Sequence, residues 1–255
     1  MIAYEKFARV YDQMGSDKFS ARMFAYTQQI LTRLKYQPKS VLDLACGTGT
    51  AAMMWAASNV AASGIDCSAQ MLTMARRKAR EKKVRIRFTQ QPLTSFILPH
   101  MVDLVTCYYD SINYLLTPKD LTACFRSAQR ALHPGGYFIF DDNTVEAMKV
   151  IWGSQVYAGE TPDLAWIWRN CYFPRSKTAE LRATFFERKG TKWERFDELH
   201  VERGYTPTEI RQALQTAGFD LTRVYECFTF KKPERKTFRI AVIARRGRAA
   251  HQKSF

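Results

Sequence analysis

The chain has 255 residues, of which 46% are hydrophobic, and its formal net charge at pH 7 is +15. This length fits one large α/β domain, or a core domain with a sizeable insertion, and the apolar content excludes a disordered chain. The charge leaves three interpretations open, namely an anionic substrate, RNA, or a solvated basic surface.

Three features of the sequence bear on its compartment. The first residues, MIAYEKFARVYDQM, carry charges where a signal peptide needs an apolar run, so we expect no secretion signal. The six cysteines form no CxxC pair and no metal-ligand spacing with histidine, which predicts buried free thiols in a reducing cytoplasm and no metal site. The apolar stretch 45–64 contains Thr, Ser, Asn and Gly, and it predicts a buried loop and helix rather than a membrane span.

Apolar spacing predicts alternating helices and strands as far as Phe140. The predicted elements are, in chain order, a helix over 16–35 ended by Pro38, a strand over 40–44, a small-residue loop, a helix over 50–57, a strand over 60–65 ending at Asp66, a basic helix with Ser68 as its N-cap, strands over 84–88 and 101–108, a helix over 119–132, a His-Pro-Gly-Gly turn, and a strand over 137–140. This alternation is typical of a doubly wound parallel sheet.

The pattern changes in the second half of the chain. Residues 164–205 contain alternating, aromatic-rich segments that predict an inserted antiparallel β-meander of about three strands. A helix over 206–219 follows, with a Thr206–Glu209 capping box and Gly218 as its stop. Strands near 221–228 and 236–244 complete a predicted Rossmann-like, seven-stranded, mostly parallel sheet. We therefore expect a helical cap segment at 1–38, a core at 39–150 and 206–248, and a β subdomain at 151–205 for substrate or subunit contacts.

The stretch VLDLACGTGT, residues 41–50, predicts a ligand site, because a glycine loop between a strand and a helix presents free N–H groups. The loop lacks the GxxxxGK[ST] pattern of a P-loop and keeps only the first two glycines of GxGxxG. Asp66 ends the second strand, where a ribose-binding carboxylate is expected. The sequence thus predicts a ligand that contains ribose but is not bound through a pyrophosphate in the usual way.

LDLACGTGT resembles the first motif, (D/E)xGxGxG, of the class I S-adenosylmethionine (SAM) dependent methyltransferases of the small-molecule type, with Ala45 at the first glycine position. Three further motifs, GIDCSAQMLTMAR, DLVTCYYDSINYLL and LHPGGYFIFDDNT, carry the same resemblance, and so does ERGYTPTEIRQALQTAGF at the predicted helix over 206–219. The resemblance covers most of the chain. It implies SAM as the cofactor, S-adenosylhomocysteine (SAH) as the product, and in-line displacement of the methyl group.

The resemblance also implies roles for individual residues. Asp43 would anchor the loop and orient the amino group of SAM, and Asp66 would accept both ribose hydroxyls. The other implied cofactor contacts are Ala45, Cys46, Gly47 and Tyr108 at the methionine portion, Gly49 at the contact of loop and helix, Cys67 and Met71 at the adenine, and Tyr11 of the segment FARVYDQM over the cofactor. Such enzymes often have an acid after the third strand, where this chain has Pro92. Gln90, Gln91 or the backbone of Leu93 would contact the adenine instead.

Methyl transfer from a sulfonium mainly requires alignment, and a base is needed only when the nucleophile arrives protonated. The candidate catalytic residues are Tyr11, Tyr109, Asp110 and His200. Each also has a structural interpretation: Tyr11 as core packing, Tyr109 as loop packing, Asp110 as a helix N-cap, and His200 as a strand residue. Trp166 and Trp168 share one face of a predicted strand. They have three interpretations, namely a lid over the substrate, packing within the sheet, and a contact between subunits.

We expect transfer of a methyl group to a nitrogen or oxygen of a small-molecule acceptor. The positive net charge of the chain is compatible with an anionic acceptor. An RNA methyltransferase or RNA-binding protein is the alternative suggested by the basic runs 76–87 and 231–248, although the chain has no (N/D)PP(Y/F) motif. A third alternative is a SAM-binding protein without transferase activity that acts through partner contacts. The aromatic meander could pair two copies in a homodimer, and no membrane partner is expected.

Overall fold

A computed structural model of the chain describes residues 4–247. Residues 1–3 of the predicted cap segment and residue 248 of the predicted core lie outside the described residues. The elements are, in chain order, a 3-10 helix Phe7–Arg9, α1 Ser16–Leu34, β1 Ser40–Leu44, α2 Thr50–Ala57, β2 Ala61–Asp66, α3 Ala69–Glu81, β3 Arg87–Gln90, β4 Val102–Cys107, a 3-10 helix Ser111–Tyr114, α4 Pro118–Ala131, β5 Leu132–Asn143, α5 Val145–Val150, β6 Val156–Thr161, β7 Leu164–Phe173, β8 Thr178–Lys189, β9 Lys192–Arg203, α6 Pro207–Thr216, β10 Phe219–Glu226 and β11 Arg239–Arg246.

A seven-stranded sheet in the order β10-β11-β5-β4-β1-β2-β3 forms the core. The five neighbouring strands β5, β4, β1, β2 and β3 pair in parallel, and β11 runs antiparallel to both of its neighbours, β5 and β10. β1 lies between β2 and β4, where the order of the strands reverses. Open α/β sheets bind ligands at the carboxyl ends of the strands at such a point.

Helices cover both faces of this sheet, which explains why β1 and β4 are buried along almost their whole length. On one face, α4 and α6 pack against β5 through a cluster that includes Phe125, Phe138 and Leu214. On the other face, α1 and α2 bury Ile30 and Trp55 against the strands. Both layers leave the carboxyl ends of β1, β2 and β4 available for a site.

A second sheet contains β6, β7, β8 and β9 in sequence order, all antiparallel. One face of it packs on the N-terminal segment, where Phe7 and Val10 join Phe185 and Phe196 in a separate apolar cluster. The N-terminal segment therefore lies between the second sheet and the rest of the fold.

The predicted fold class is confirmed, and β1 and α2 have the predicted bounds. The capping box of α6 is also present. Two expectations were wrong in detail, since β3 begins at Arg87 rather than near 84, and β5 begins at Leu132 before the Pro-Gly-Gly stretch. The three predicted meander strands are β7, β8 and β9, and the second sheet contains a fourth strand that was not predicted. The missed strand, β6, is a largely exposed edge strand, so its sequence carries no buried alternating pattern.

Within residues 4–247, no helix combines the length and the apolar character that crossing a membrane requires. The six cysteines are all free, and four of them are buried, as expected. Cys67 and Cys171 are exposed, which corrects the expectation that all six thiols are buried.

Candidate active site

The loop after β1 has an unusual backbone. Ala45, Gly47 and Gly49 have φ angles of 55°, 52° and 78°, all in the left-handed region. Glycine adopts this region without strain, and Ala45 does so at a cost of about 1–2 kcal/mol. A Cβ on Gly49 would lie 2.9 Å from Cζ of Phe88 and 3.0 Å from Cβ of Ala75, so glycine lets the loop pack closely on α3 and β3.

Two buried carboxyl groups flank this loop. Asp66, at the end of β2, accepts the N–H groups of Gly47 and Ser68, each at 2.8 Å. Burial raises the pKa of Asp66 above its usual value, although these donors oppose the shift. Burial likewise raises the pKa of Asp43 to about 7, despite the hydrogen bond that Thr106 Oγ1 donates to it at 2.9 Å. Asp66 is thus bonded to the loop itself, and Asp43 is fixed beside the loop by β4.

A first cavity, which we call the loop cavity, lies above the carboxyl ends of β1 and β2 and has a volume of about 150 Å³. Its lining combines the glycine loop, both acids, and aromatic and hydroxyl side chains from four other segments. The lining residues are Tyr4, Tyr11, Ser20, Asp43, Ala45, Cys46, Gly47, Thr48, Ala51, Asp66, Cys67, Met71, Leu93, Tyr108, Tyr109, Ser111 and Tyr114.

A second cavity, the aromatic cavity, has a volume of about 410 Å³ and lies against the four-stranded sheet. Most of its wall is aromatic, with a few polar groups. The lining residues are Tyr4, Phe7, Tyr11, Ser16, Tyr109, Asp110, Tyr114, Ile151, Trp152, Tyr157, Trp166, Trp168, Asn170, Leu181, His200 and Arg239. Among residues 4–247, Trp168 Nε1 and Asn170 Oδ1 are buried without a hydrogen-bond partner.

Four tyrosines, which we call the tyrosine junction, line both cavities: Tyr4, Tyr11, Tyr109 and Tyr114. Tyr109 and Asp110 have φ angles of 59° and 51°, a strained pair of left-handed residues. Asp141 stabilises this turn, because its carboxylate accepts the N–H of Tyr109 at 2.7 Å and of Asp110 at 3.1 Å. The junction is therefore built on a backbone that the buried acid of β5 holds in place.

Arg239 carries the positive charge that balances Asp110 and Asp141 at this turn. Its guanidinium donates to Asp141 and lies 3.3 Å from Asp110 Oδ2. Burial alone would lower the pKa of Arg239, but Asp110 and Asp141 raise it well above the usual value. Asn143 also donates to Asp110 at 2.6 Å. The Asp110 carboxylate is thus held by an arginine and an amide, and it makes no N-cap hydrogen bond to the following 3-10 helix.

His200 lies on β9, with 2% of its surface exposed. Its Nδ1 lies 2.9 Å from the hydroxyl of Tyr114. Its Nε2 lies 3.3 Å from Glu198 Oε2, close enough for an ion pair but outside hydrogen-bond geometry. His200 is thus a buried residue of the cavity wall, in contact with the tyrosine junction.

Residues 41–136 match the family described as "Methyltransferase domain". A methyltransferase-family protein of Geobacillus sp. (strain WCH70) is 31% identical over 250 residues, which is 96% of this chain and 100% of that protein. The chain is a class I SAM-dependent methyltransferase. The crystal structure of a SAM-dependent methyltransferase from Clostridium acetobutylicum ATCC 824 is 28% identical, with a TM-score of 0.86, and covers 96% of this chain and 100% of the other.

A further relative of this methyltransferase is the dTDP-4-amino-2,3,4,6-tetradeoxy-D-glucose N,N-dimethyltransferase of Saccharopolyspora spinosa. It is 26% identical over 219 residues, which is 83% of this chain and 84% of that protein.

The cofactor of the methyltransferase is SAM, and the chemistry of the loop cavity fits it. A buried carboxylate at the end of β2 suits a ribose diol, and the open space beside Gly47, where a Cβ would meet only Met71 Sδ at 4.0 Å, admits a ligand close to the backbone. Ten of the predicted cofactor contacts line this cavity: Tyr11, Asp43, Ala45, Cys46, Gly47, Asp66, Cys67, Met71, Leu93 and Tyr108.

Two predicted residues lie outside the loop cavity. Gly49 packs beneath the loop, as described above. Gln91 does not face the cavity, because its side-chain amide pairs with the backbone of Ile97, at 2.9 Å and 3.1 Å. This position corrects the expectation of an adenine contact from Gln91.

The four candidate catalytic residues all border a cavity. Tyr11 and Tyr109 line both cavities, and Asp110 and His200 line the aromatic one. Sequence reasoning missed Tyr4 and Tyr114, which belong to the tyrosine junction. Tyr114 lies in the motif DLVTCYYDSINYLL, but no spacing rule distinguishes it from a packing residue.

Proposed function

We propose that this methyltransferase transfers the methyl group of SAM to a nitrogen or oxygen of a small-molecule acceptor bound in the aromatic cavity. The observation that carries this proposal is the tyrosine junction, since the same four side chains border the glycine loop and the aromatic cavity. A methyl group presented from the loop cavity would meet its acceptor at that junction. A concave, mostly aromatic cavity of about 410 Å³ suits a small molecule.

For the cofactor, we assign the ribose hydroxyls to Asp66 and the amino group to Asp43. We further assign the methionine portion to the loop and Tyr108, and the adenine to Cys67, Met71 and Leu93. Asp66 is supported by its burial at the end of β2, and Asp43 by its position at the end of β1 with one carboxylate oxygen bonded to Thr106.

For the acceptor, the aromatic cavity offers flat apolar surfaces, and three of its lining residues, Trp168, Asn170 and His200, carry a buried polar atom without a hydrogen-bond partner among residues 4–247. Trp168 Nε1 can donate and Asn170 Oδ1 can accept, and both are buried without a partner among residues 4–247. Buried polar groups normally find partners, so these atoms favour an acceptor with its own donor and acceptor groups. Arg239 is engaged by Asp110 and Asp141, which argues against an anionic acceptor.

The acceptor group itself is an amine or a hydroxyl. An amine suits this wall, because Arg239 and Asn143 both contact Oδ2 of Asp110, and its carboxylate would stabilise the ammonium that forms when an amine accepts a methyl group. The relative from Saccharopolyspora spinosa is named as an N,N-dimethyltransferase, which supports the same choice.

The bound cofactor supplies an electrophilic methyl group with a neutral leaving group, so that the chain contributes mainly alignment. Tyr11 and Tyr109 flank the path between the cavities, with ring centroids 6.4 Å apart. Burial raises the pKa of Tyr11 well above its usual value, so its hydroxyl stays uncharged. The ring of Tyr109 stacks on that of Phe19, with 4.4 Å between the centroids, and this contact restricts the orientation of Tyr109 at the junction.

Two measurements test this function. Calorimetric titration with SAH, with NADH as the control, should show binding of SAH alone. Incubation of the protein with SAM and a panel of small amines, alcohols and phenols should yield a methylated product detected by mass spectrometry. Methylation of total RNA, with no small-molecule product, would overturn the assignment of the acceptor class, and tight SAH binding with no product on either panel would overturn the transferase activity.

A further inference from the structure

A chain of four side chains connects the tyrosine junction to the interior of the second sheet. The hydroxyl of Tyr4 lies 2.8 Å from that of Tyr114, and the hydroxyl of Tyr114 lies 2.9 Å from Nδ1 of His200. Nε2 of His200 lies 3.3 Å from Glu198. Neutral hydroxyls and an imidazole in such a row can pass a proton, because each has both a donor and a lone pair.

Glu198 is the anionic end of this row. Its carboxylate accepts the backbone N–H groups of Tyr4, Lys6 and Phe7 at 2.8, 2.6 and 2.7 Å. Burial alone would raise the pKa of Glu198, but these donors and His200 hold it below the usual value. A carboxylate fixed beside Nε2 favours a proton on Nε2, and this leaves the lone pair of Nδ1 directed at Tyr114.

The other end of the row, at Tyr4 and Tyr114, lies where we propose that the methyl group is transferred. Tyr4 and Tyr114 line both cavities, and His200 lines the aromatic cavity. Burial holds the pKa of the Tyr4 and Tyr114 hydroxyls well above their usual value, so both remain uncharged links. The row therefore joins the place of methyl transfer to a buried imidazole without crossing bulk water.

We propose that Tyr4, Tyr114 and His200 form a relay that removes the proton released by the acceptor. The proposal rests on the function above. As the acceptor atom forms its bond to the methyl group and loses a proton, Tyr4 oxygen takes that proton and gives its own to Tyr114. Tyr114 gives its hydroxyl proton to Nδ1 of His200. The product is an imidazolium beside the Glu198 carboxylate, which later returns the proton to solvent.

The proposal predicts a defined tautomer in the protein without any acceptor. In a ¹⁵N-histidine NMR spectrum at pH 8, His200, assigned by comparison with His200→Asn, should carry its proton on Nε2 and none on Nδ1. The Tyr114→Phe variant should shift the Nδ1 resonance, since it removes the hydrogen bond to that atom. A proton on Nδ1 would overturn the direction of the relay, whatever the protein methylates.

The second test uses the acceptor that the methylation panel identifies. Tyr114→Phe should lower kcat by about 10²-fold, the usual contribution of general-base catalysis, and leave the acceptor KM within about threefold. The double variant Tyr114→Phe/His200→Asn should lose no more rate than Tyr114→Phe alone, because both residues serve one relay. The charged and titratable groups that line the aromatic cavity beside His200 are Tyr4, Tyr11, Tyr109, Asp110, Tyr114, Tyr157 and Arg239, and Glu198 lies beside its Nε2.

The matched control is Tyr36→Phe, which removes a hydroxyl that donates to the Asp103 carbonyl at 3.0 Å, away from both cavities. It should leave kcat unchanged. If Tyr114→Phe keeps the wild-type kcat, or if the losses of rate in Tyr114→Phe and His200→Asn add up in the double variant, the relay is overturned and the row is structural. A wild-type protein that methylates nothing would contradict the proposed function and leave the NMR test to decide the relay.

Discussion

Lys78 of α3 binds Asp12 of the N-terminal segment, with 2.7 Å between Nζ and Oδ2. The same ammonium lies 3.0 Å from Thr48 Oγ1 and 2.9 Å from Thr50 Oγ1, and Thr48 also donates to Asp12 at 2.8 Å. One cation thus joins the N-terminal segment to the glycine loop and to the start of α2. The segment that carries Tyr4 and Tyr11 is thereby fastened over the loop cavity.

Replacing Lys78 with Met should loosen this fastening, because the ammonium is lost while the apolar stem remains. We expect SAH to dissociate several-fold faster in stopped-flow displacement, and the free energy of unfolding to fall by about 1–2 kcal/mol. Arg77→Gln is the control, since Arg77 is exposed and has a single 3.7 Å contact with Glu81. Equal effects in both variants would contradict the specific role of Lys78.

Asp66→Asn should weaken SAH binding by about 10²-fold, since it removes the charge from two hydrogen bonds to the ribose. Asparagine keeps the shape of the side chain and one oxygen for the N–H of Gly47 or Ser68, so the fold should persist in circular dichroism. Gln91→Ala is the control and should keep the wild-type dissociation constant in calorimetry, because Gln91 faces Ile97. An Asp66→Asn protein with wild-type affinity would remove Asp66 from the ribose site.

The pKa of Asp43, raised by burial to about 7, predicts a pH dependence of SAH binding. The pKa of Asp43 in the folded protein lies above the unfolded value of about 3.9. Between about pH 4 and 7, Asp43 is therefore ionised in the unfolded chain but protonated in the folded protein, so the free energy of unfolding falls as the pH rises through this range. Pairing with the SAH amino group requires the ionised form, so binding should release a proton and tighten by about tenfold from pH 6 to 8.

Calorimetry in two buffers with different ionisation enthalpies measures that proton. Asp43→Asn should bind SAH more weakly and lose the pH dependence. A wild-type affinity that stays constant between pH 6 and 8 would refute the pairing of Asp43 with the amino group.

Gly49→Ala should lower the melting temperature and destabilise the protein by about 2–4 kcal/mol, since left-handed strain adds to the overlap with Phe88 and Ala75. Gly190→Ala isolates the strain. Its φ angle is +64°, and a Cβ there would meet nothing within 4 Å, so about 1–2 kcal/mol is expected. Equal losses in urea unfolding would mean that the loop can move away from α3.

Trp168→Phe and Asn170→Ala should raise the acceptor KM several-fold and leave SAH affinity unchanged, because each removes one unsatisfied polar atom from the aromatic cavity. Trp193→Phe, at an exposed tryptophan of β9, serves as the control. Steady-state kinetics with the acceptor identified by the panel provides the measurement. An unchanged KM in both cavity variants would place the acceptor elsewhere.

Most residues that line the loop cavity can be located from the sequence, because local rules determine their positions. Asp43 and Asp66 follow from their positions at strand ends, and the loop follows from its glycines. The tyrosine junction does not follow from local rules. Tyr4 reaches it because Glu198, about 190 positions later in the chain, binds the backbone of the N-terminal segment. Gln91 was misplaced because β3 runs to Gln90, two residues beyond the predicted end.

The central claim is that the methyl group of bound SAM lies at the tyrosine junction. Isotope-edited NMR with SAM labelled with ¹³C in its methyl group measures this directly. We predict nuclear Overhauser effects from the methyl group to the rings of Tyr11 and Tyr109, assigned from spectra of the Tyr→Phe variants. Effects only to residues at the far end of the loop cavity, such as Cys67 and Leu93, would contradict the account.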